Sequence, residues 1–141
     1  MTRISPHSLW IGHAGDGRNY PTLHRDRVRA LVQLAAEEPP DSPPRDFLYC
    51  RFPLMDGGPN DSDVLFLVVN FVTELLRMEM PTLLYCSAGL SRSPAIAAVA
   101  MAFHTRRQLN ECLRDVGKCR RVDVSPGLWS YLHEIFDVEL G

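Results

Sequence analysis

The segment Thr82–Pro94, TLLYCSAGLSRSP, constrains this chain more than any other. An apolar run ends at Cys86. Ser87, Ala88, Gly89, Leu90 and Ser91 follow, then Arg92, Ser93 and an alanine-rich stretch that reads as a helix. The pattern is strand, tight loop, helix, with a thiol where the loop begins and a guanidinium where it ends. Small residues let the loop curl with its N–H groups turned inward, and successive inward N–H groups form a concave anion nest. The helix N-terminus that follows adds orphan donors and partial positive charge. Gly89 takes the mid-loop position, where a positive φ or a close backbone approach favours glycine. Arg92 offers a planar fork that grips two oxygens at once. Such a loop suits a phosphate-like dianion held while a sulfur attacks its centre. The attacking species is the thiolate, which helix N-termini and cationic neighbours favour. Cys86 is therefore the expected nucleophile and residues 87–92 the expected phosphate loop.

Attack on a phosphate ester also needs a proton for the departing oxygen, and a carboxylic acid on a nearby loop is the usual source. Phe47–Asp56 reads as a strand ending in an aspartate, followed by Gly57, Gly58 and Pro59, so Asp56 sits on a turn or mobile lid. Asp56 is the candidate general acid. Asp61 and Asp63 are rivals, but they directly precede a long apolar segment, where an acidic residue is more simply a helix cap or first-turn charge.

The rest of the chain alternates strands and helices. Ser8–Gly12 is a short strand, His13–Thr22 a loop and Leu23–Arg27 a short helix. Val28–Ala35 alternates apolar with mostly polar residues, as a half-buried strand does. Residues 37–46, EEPPDSPPRD, hold four prolines and four acids and read as an extended surface connector. Ser62 is the expected cap of a buried helix reaching Met78. Further helices cover Arg92–Thr105, Gln108–Val116 with Gly117 as its stop, and Gly127–Val138. This order predicts an α/β fold: one domain over residues 1–141, with a central, mostly parallel twisted sheet of about four to five strands flanked by helices. In such sheets the chemistry sits beyond the carboxyl end of a central strand.

Cys-x5-Arg-Ser after a hydrophobic strand resembles the signature of the cysteine-dependent protein tyrosine phosphatases. AGLSRSP, the short chain and an aspartate thirty residues before the cysteine resemble the dual-specificity branch. Ser8–Gly12 resembles that family's first strand, Val28–Ala35 its second, and Val122–Phe136 its closing segment and last helix. The resemblance implies a protein tyrosine phosphatase-like fold. It also implies a hydrolase that removes phosphate from phosphotyrosine and phosphoserine or phosphothreonine in proteins, through a cysteinyl-phosphate and without metal or cofactor. By it Cys86 is the nucleophile and Arg92 the phosphate clamp. Ser93 stabilises the leaving thiolate, and Asp56 acts first as acid and then as base. The sequence departs from the family at Tyr85, where histidine is usual, and at Gly127, where asparagine often follows the proline.

Three further functions compete with this one. A phosphoinositide, glucan or RNA 5′-phosphate substrate keeps the same chemistry, but residues 87–91 contain no lysine, which inositide-directed relatives often carry. A phosphoresidue-binding module with a degenerate site would keep the loop and lose the turnover. A sulfurtransferase would also hold a cysteine in an anion-binding loop, but it has no use for Asp56 or the Arg-Ser ending. A net charge of −2 supplies no global basic field for nucleic acid or acidic membranes. No secretory signal is visible, and the longest apolar stretch, Pro94–Phe103, is too short to span a bilayer. The expectation is a monomeric cytoplasmic enzyme whose partners are phosphorylated proteins, not nucleic acid or membrane.

The four cysteines, Cys50, Cys86, Cys112 and Cys119, have no metal-ligand spacing and read as reduced thiols. A reversible Cys50–Cys86 disulfide requires their strands to be neighbours; a buried free thiol is the plainer reading of Cys50. Tyr85 reads as a packing residue. Arg114, Lys118, Arg120 and Arg121 read as a solvated basic face.

Overall fold

The computed structural model describes residues 1–140, and the side chains of residues 1–137. A five-stranded sheet runs in the order β1-β2-β5-β3-β4: β1 is Thr2–Arg3, β2 Leu9–Gly12, β3 Ala30–Ala35, β4 Leu48–Leu54 and β5 Thr82–Tyr85. All neighbours pair in parallel except β1, which runs antiparallel to β2 at one edge. The expected α/β architecture is therefore present, with β1 as an addition. Two residues are too short to carry a strand periodicity, so β1 left no signal in the sequence.

Parallel strands are buried on both faces, and their residues alternate between two cores. Leu9, Ile11, Val32, Leu34 and Leu84 join the larger core. It packs beneath α2 (Ser62–Arg77), α3 (Arg92–Thr105), α4 (Leu109–Cys119) and α5 (Pro126–Leu140). Leu31, Leu83 and Tyr85 face the other way, against Leu23 of α1 (Tyr20–Arg25) and Phe47. Every residue of α3 from Arg92 to Ala102 is buried. The small side chains of AIAAVAMA let that helix lie close to the sheet and to its helical neighbours, so the loop feeding it is clamped at its C-terminal end. No helix among the described residues is long and apolar enough to cross a membrane.

Several element boundaries differ from expectation, each for a local reason. The first helix begins at Tyr20 rather than Leu23, because Asn19 caps it by accepting from the Thr22 N–H and Pro21 fits its first turn. Asp61, not Ser62, caps α2, accepting from the Asp63 N–H at 2.8 Å. Gly117 does not stop α4, which continues to Cys119. β3 lies between β4 and β5, with Val32 paired to both Cys50 and Leu84. Two inter-strand spacings, about 9.6 Å, exceed the roughly 7 Å Cα separation a disulfide tolerates, so the strand neighbourhood a Cys50–Cys86 bridge requires is absent.

Candidate active site

The sheet delivers Cys86 to the carboxyl end of β5, its central strand, where the chain turns into the loop 86–91 and then into α3. Neighbouring segments fix the loop's polarity. The Ser87 carbonyl accepts from the Ala14 N–H at 3.1 Å, and the Leu90 carbonyl accepts from the Asp123 N–H at 2.7 Å. Two loop carbonyls are thus engaged by neighbouring segments, while among the described residues no N–H of Ser87 through Ser91 donates to a backbone acceptor. Gly89 has φ +75°, and a Cβ there would stand 2.7 Å from the Gly12 carbonyl oxygen. Both facts require glycine.

Ser91 precedes α3 without capping it. Its Oγ donates instead to Asp56 Oδ1 at 2.6 Å and accepts from the Ser125 N–H at 2.8 Å. The first turn of α3 thus keeps donors that no side chain serves, and Asp56 is moored over the loop. Asn60 closes the turn that carries Asp56, its Oδ1 accepting from the Met55 N–H and its Nδ2 donating to the Met55 carbonyl. The resulting pocket, about 300 Å³, is lined by Cys86, Ser87, Ala88, Leu90, Ser91 and Arg92, and by Glu37, Asp56 and Asp123. Cys86 is 2% exposed. Ser93 is fully buried, with no hydrogen-bond partner for its hydroxyl. The structure therefore gathers Cys86, Arg92 and Asp56 at one pocket. Asp61 is spent on its cap, and neither it nor Asp63 lines the pocket.

Three groups act here that sequence reasoning assigned elsewhere. Glu37 belongs to the proline-rich stretch, which is not a passive connector. Its carboxylate takes both arms of the Arg92 fork, at 2.6 Å each, while Arg92 Nη1 also donates to the Leu54 carbonyl at 2.9 Å. The Arg92 bonds, helped by a bond from Ser87 Oγ, hold the Glu37 carboxyl at about 2, well below its ordinary value. The fork is thereby fixed in direction, and Arg92 Nε, buried and without a partner, remains its unused donor.

Tyr85 is fully buried, but it does more than pack: its hydroxyl donates to Asp41 Oδ2 at 2.6 Å. Tyr49 donates to Gln33 and accepts from the Asp41 N–H at 2.9 Å, and Gln33 Nε2 donates to the Pro39 carbonyl. Residues 37–41 are thus strapped to β3, β4 and β5, which sets Glu37 at Arg92. The tyrosine fits because Gly17 lies against its ring; a Cβ on Gly17 would stand 2.4 Å from it.

Arg120, expected on a solvated face, is turned inward behind the loop. It donates to the Ile11 carbonyl at 2.5 Å and lies close to Gly89. Burial lowers its pKa, while Asp16 and Cys86 act in the opposite direction.

No protein-family model matches the chain. Dual specificity protein phosphatase 9 of Homo sapiens is 24% identical over 134 residues, covering 94% of this chain and 34% of that protein. The chain spans about a third of the length of that curated relative. Among solved structures, human DUSP28 superposes with a TM-score of 0.86 at 23% identity, covering 99% of this chain and 97% of that one. OH1 from the Orf virus, described as a tyrosine phosphatase with triple substrate specificity, superposes with a TM-score of 0.73 at 23% identity, covering 96% and 86%. The chain has the fold of the dual-specificity phosphatases, and the family resemblance read from AGLSRSP is the one both comparisons return.

Proposed function

We propose that this chain is a cysteine-dependent phosphomonoesterase acting on phosphotyrosine and phosphoserine or phosphothreonine in proteins. The observation that carries the reading is the convergence of Cys86, Arg92 and Asp56 on one pocket, beside loop amides that donate to no backbone acceptor among the described residues. In the first step the Cys86 thiolate attacks phosphorus. The phosphorus–ester bond breaks, and the departing oxygen takes a proton from Asp56. In the second step water attacks the cysteinyl-phosphate, Asp56 removes a proton from it, and the sulfur leaves as thiolate with the buried Ser93 hydroxyl as its stabilising donor. Loop amides, the start of α3 and Arg92 stabilise the equatorial oxygens as charge develops. Among the described residues no aromatic side chain lines the small pocket, which favours a broad choice of phosphorylated side chain.

Hydrolysis of a chromogenic aryl phosphate, with a chelator present, tests this reading. Wild type is active and Cys86→Ser inactive. Asp56→Asn loses rate chiefly with poor leaving groups, because a good leaving group needs no proton. Full activity in Cys86→Ser, or abolition by the chelator, refutes the mechanism. Loss confined to Asp123→Asn, with Asp56→Asn unaffected, moves the acid to Asp123.

A further inference from the structure

We propose that the pocket selects phosphorylated peptides flanked by cationic residues, with Glu38 and Asp123 as the specificity-determining groups. The inference rests on the phosphatase reading and deepens it. The loop and Arg92 recognise a phosphate, but the charge around them has the wrong sign for an anionic surrounding. Among the described residues, Arg92 is the sole cation lining the pocket, against the carboxylates of Glu37, Asp56 and Asp123. Arg92 and Glu37 offset each other. Asp56 carries a proton when it acts as acid. Of the lining carboxylates Asp123 is what remains, Glu38 reaches the lining through Ser87, and among the described residues neither Glu38 nor Asp123 forms an ion pair.

Both contact the phosphate loop. Glu38 Oε2 lies 3.2 Å from Ser87 Oγ, whose single proton it shares with Glu37 Oε2 at 2.8 Å, and the Glu38 carbonyl accepts from Arg51 Nη2 at 3.1 Å. Asp123 lines the pocket and is tied by its N–H to the Leu90 carbonyl. Ser87 and Leu90 lie at different points of the loop, so the two acidic residues meet it at two places. The phosphate position is itself marked for an anion by Arg92 Nε, a buried donor without a partner on a side chain 5% exposed. A phosphate with cations on its flanks satisfies the guanidinium and both carboxylates. A phosphate among carboxylates, or on an anionic bilayer, meets like charge at the mouth.

Two phosphotyrosine peptides of equal length, one with arginine flanks and one with aspartate flanks, test this. Binding to Cys86→Ser is read by fluorescence anisotropy and turnover by wild type, with anionic vesicles carrying a phosphoinositide as a third substrate. The arginine-flanked peptide should bind and turn over on the order of tenfold better, as expected for two partly exposed charge contacts. The ratio should shrink as salt rises, because exposed charges are screened beyond about 10 Å at 0.1 M. In Glu38→Gln/Asp123→Asn it should fall toward one, whatever the absolute rate. Equal or better handling of the aspartate-flanked peptide overturns the proposal, as does a ratio unchanged in the double variant or better turnover of the vesicle phosphoinositide. If Cys86→Ser retains aryl phosphatase activity, the catalytic reading falls, while the binding ratio still decides the charge argument.

Discussion

Tyr85→Phe isolates the strap that holds the proline-rich segment to the sheet. The substitution keeps the ring against Gly17 and removes one oxygen, so it opens no cavity. What it removes is the donor to Asp41, whose side chain is 4% exposed. Arg18, a cation 3.4 Å from Asp41 Oδ1 and half-exposed, replaces little of the loss. A hydrogen bond to a charged acceptor contributes about 1.5–3 kcal/mol. With Arg18 still paired to Asp41 Oδ1, the expected loss is about 2 kcal/mol. In a chain of this size that lowers Tm by about 4–8 °C. Burial first, and then the Asp41 bond, raise the Tyr85 pKa, so the hydroxyl remains a donor across the working pH range. Thermal and urea unfolding of wild type, Tyr85→Phe, Asp41→Asn and the double variant complete a cycle, with an expected coupling of about 1–2 kcal/mol. A Tyr85→Phe protein within about 0.5 kcal/mol of wild type, or a coupling near zero, refutes the strap.

Other consequences follow from single contacts. Gly89→Ala places a methyl group 2.7 Å from the Gly12 carbonyl oxygen at φ +75°, so the loop must move; kcat should fall by roughly a hundredfold with the fold retained by circular dichroism. The Glu37 carboxyl is depressed to about 2 by Arg92, so its contribution to stability is fully present above its ordinary value of 4.5 and is lost as pH falls toward 2. With the Glu37 side chain 56% exposed, screening limits that contribution to about 1 kcal/mol or less. The stability gap between wild type and Glu37→Gln, measured by urea unfolding, should be constant from pH 6 to 5 and narrow below; a gap that widens on acidification contradicts the pairing.

The loop was legible in the sequence because its chemistry is local: thiol, small residues, a positive-φ glycine and guanidinium follow one another along the chain. The order of strands and helices was legible for the same reason, each being set by its own periodicity. Glu37, Asp123 and Arg120 were not, since each reaches the loop from a distant segment. Residues 37–46 lack periodicity and so read as a connector. Their structure comes instead from bonds to Tyr49, Tyr85, Arg51 and Arg92, which lie apart in the chain. Tyr85 stood out as a departure from the family pattern, but its partner at Asp41 is forty-four residues away. Arg120 was misread because a run of cations ordinarily faces water, and nothing local signals a single side chain turned under a loop.

The most direct test of the proposed chemistry is to quench wild type during turnover in acid and locate the transferred phosphoryl group by peptide mass spectrometry. Phosphate on the Cys86 sulfur in wild type, absent from Cys86→Ser and longer-lived in Ser93→Ala, is the expected result. A phosphoryl group found on another side chain, or turnover with none on Cys86 at any quench time, contradicts the account.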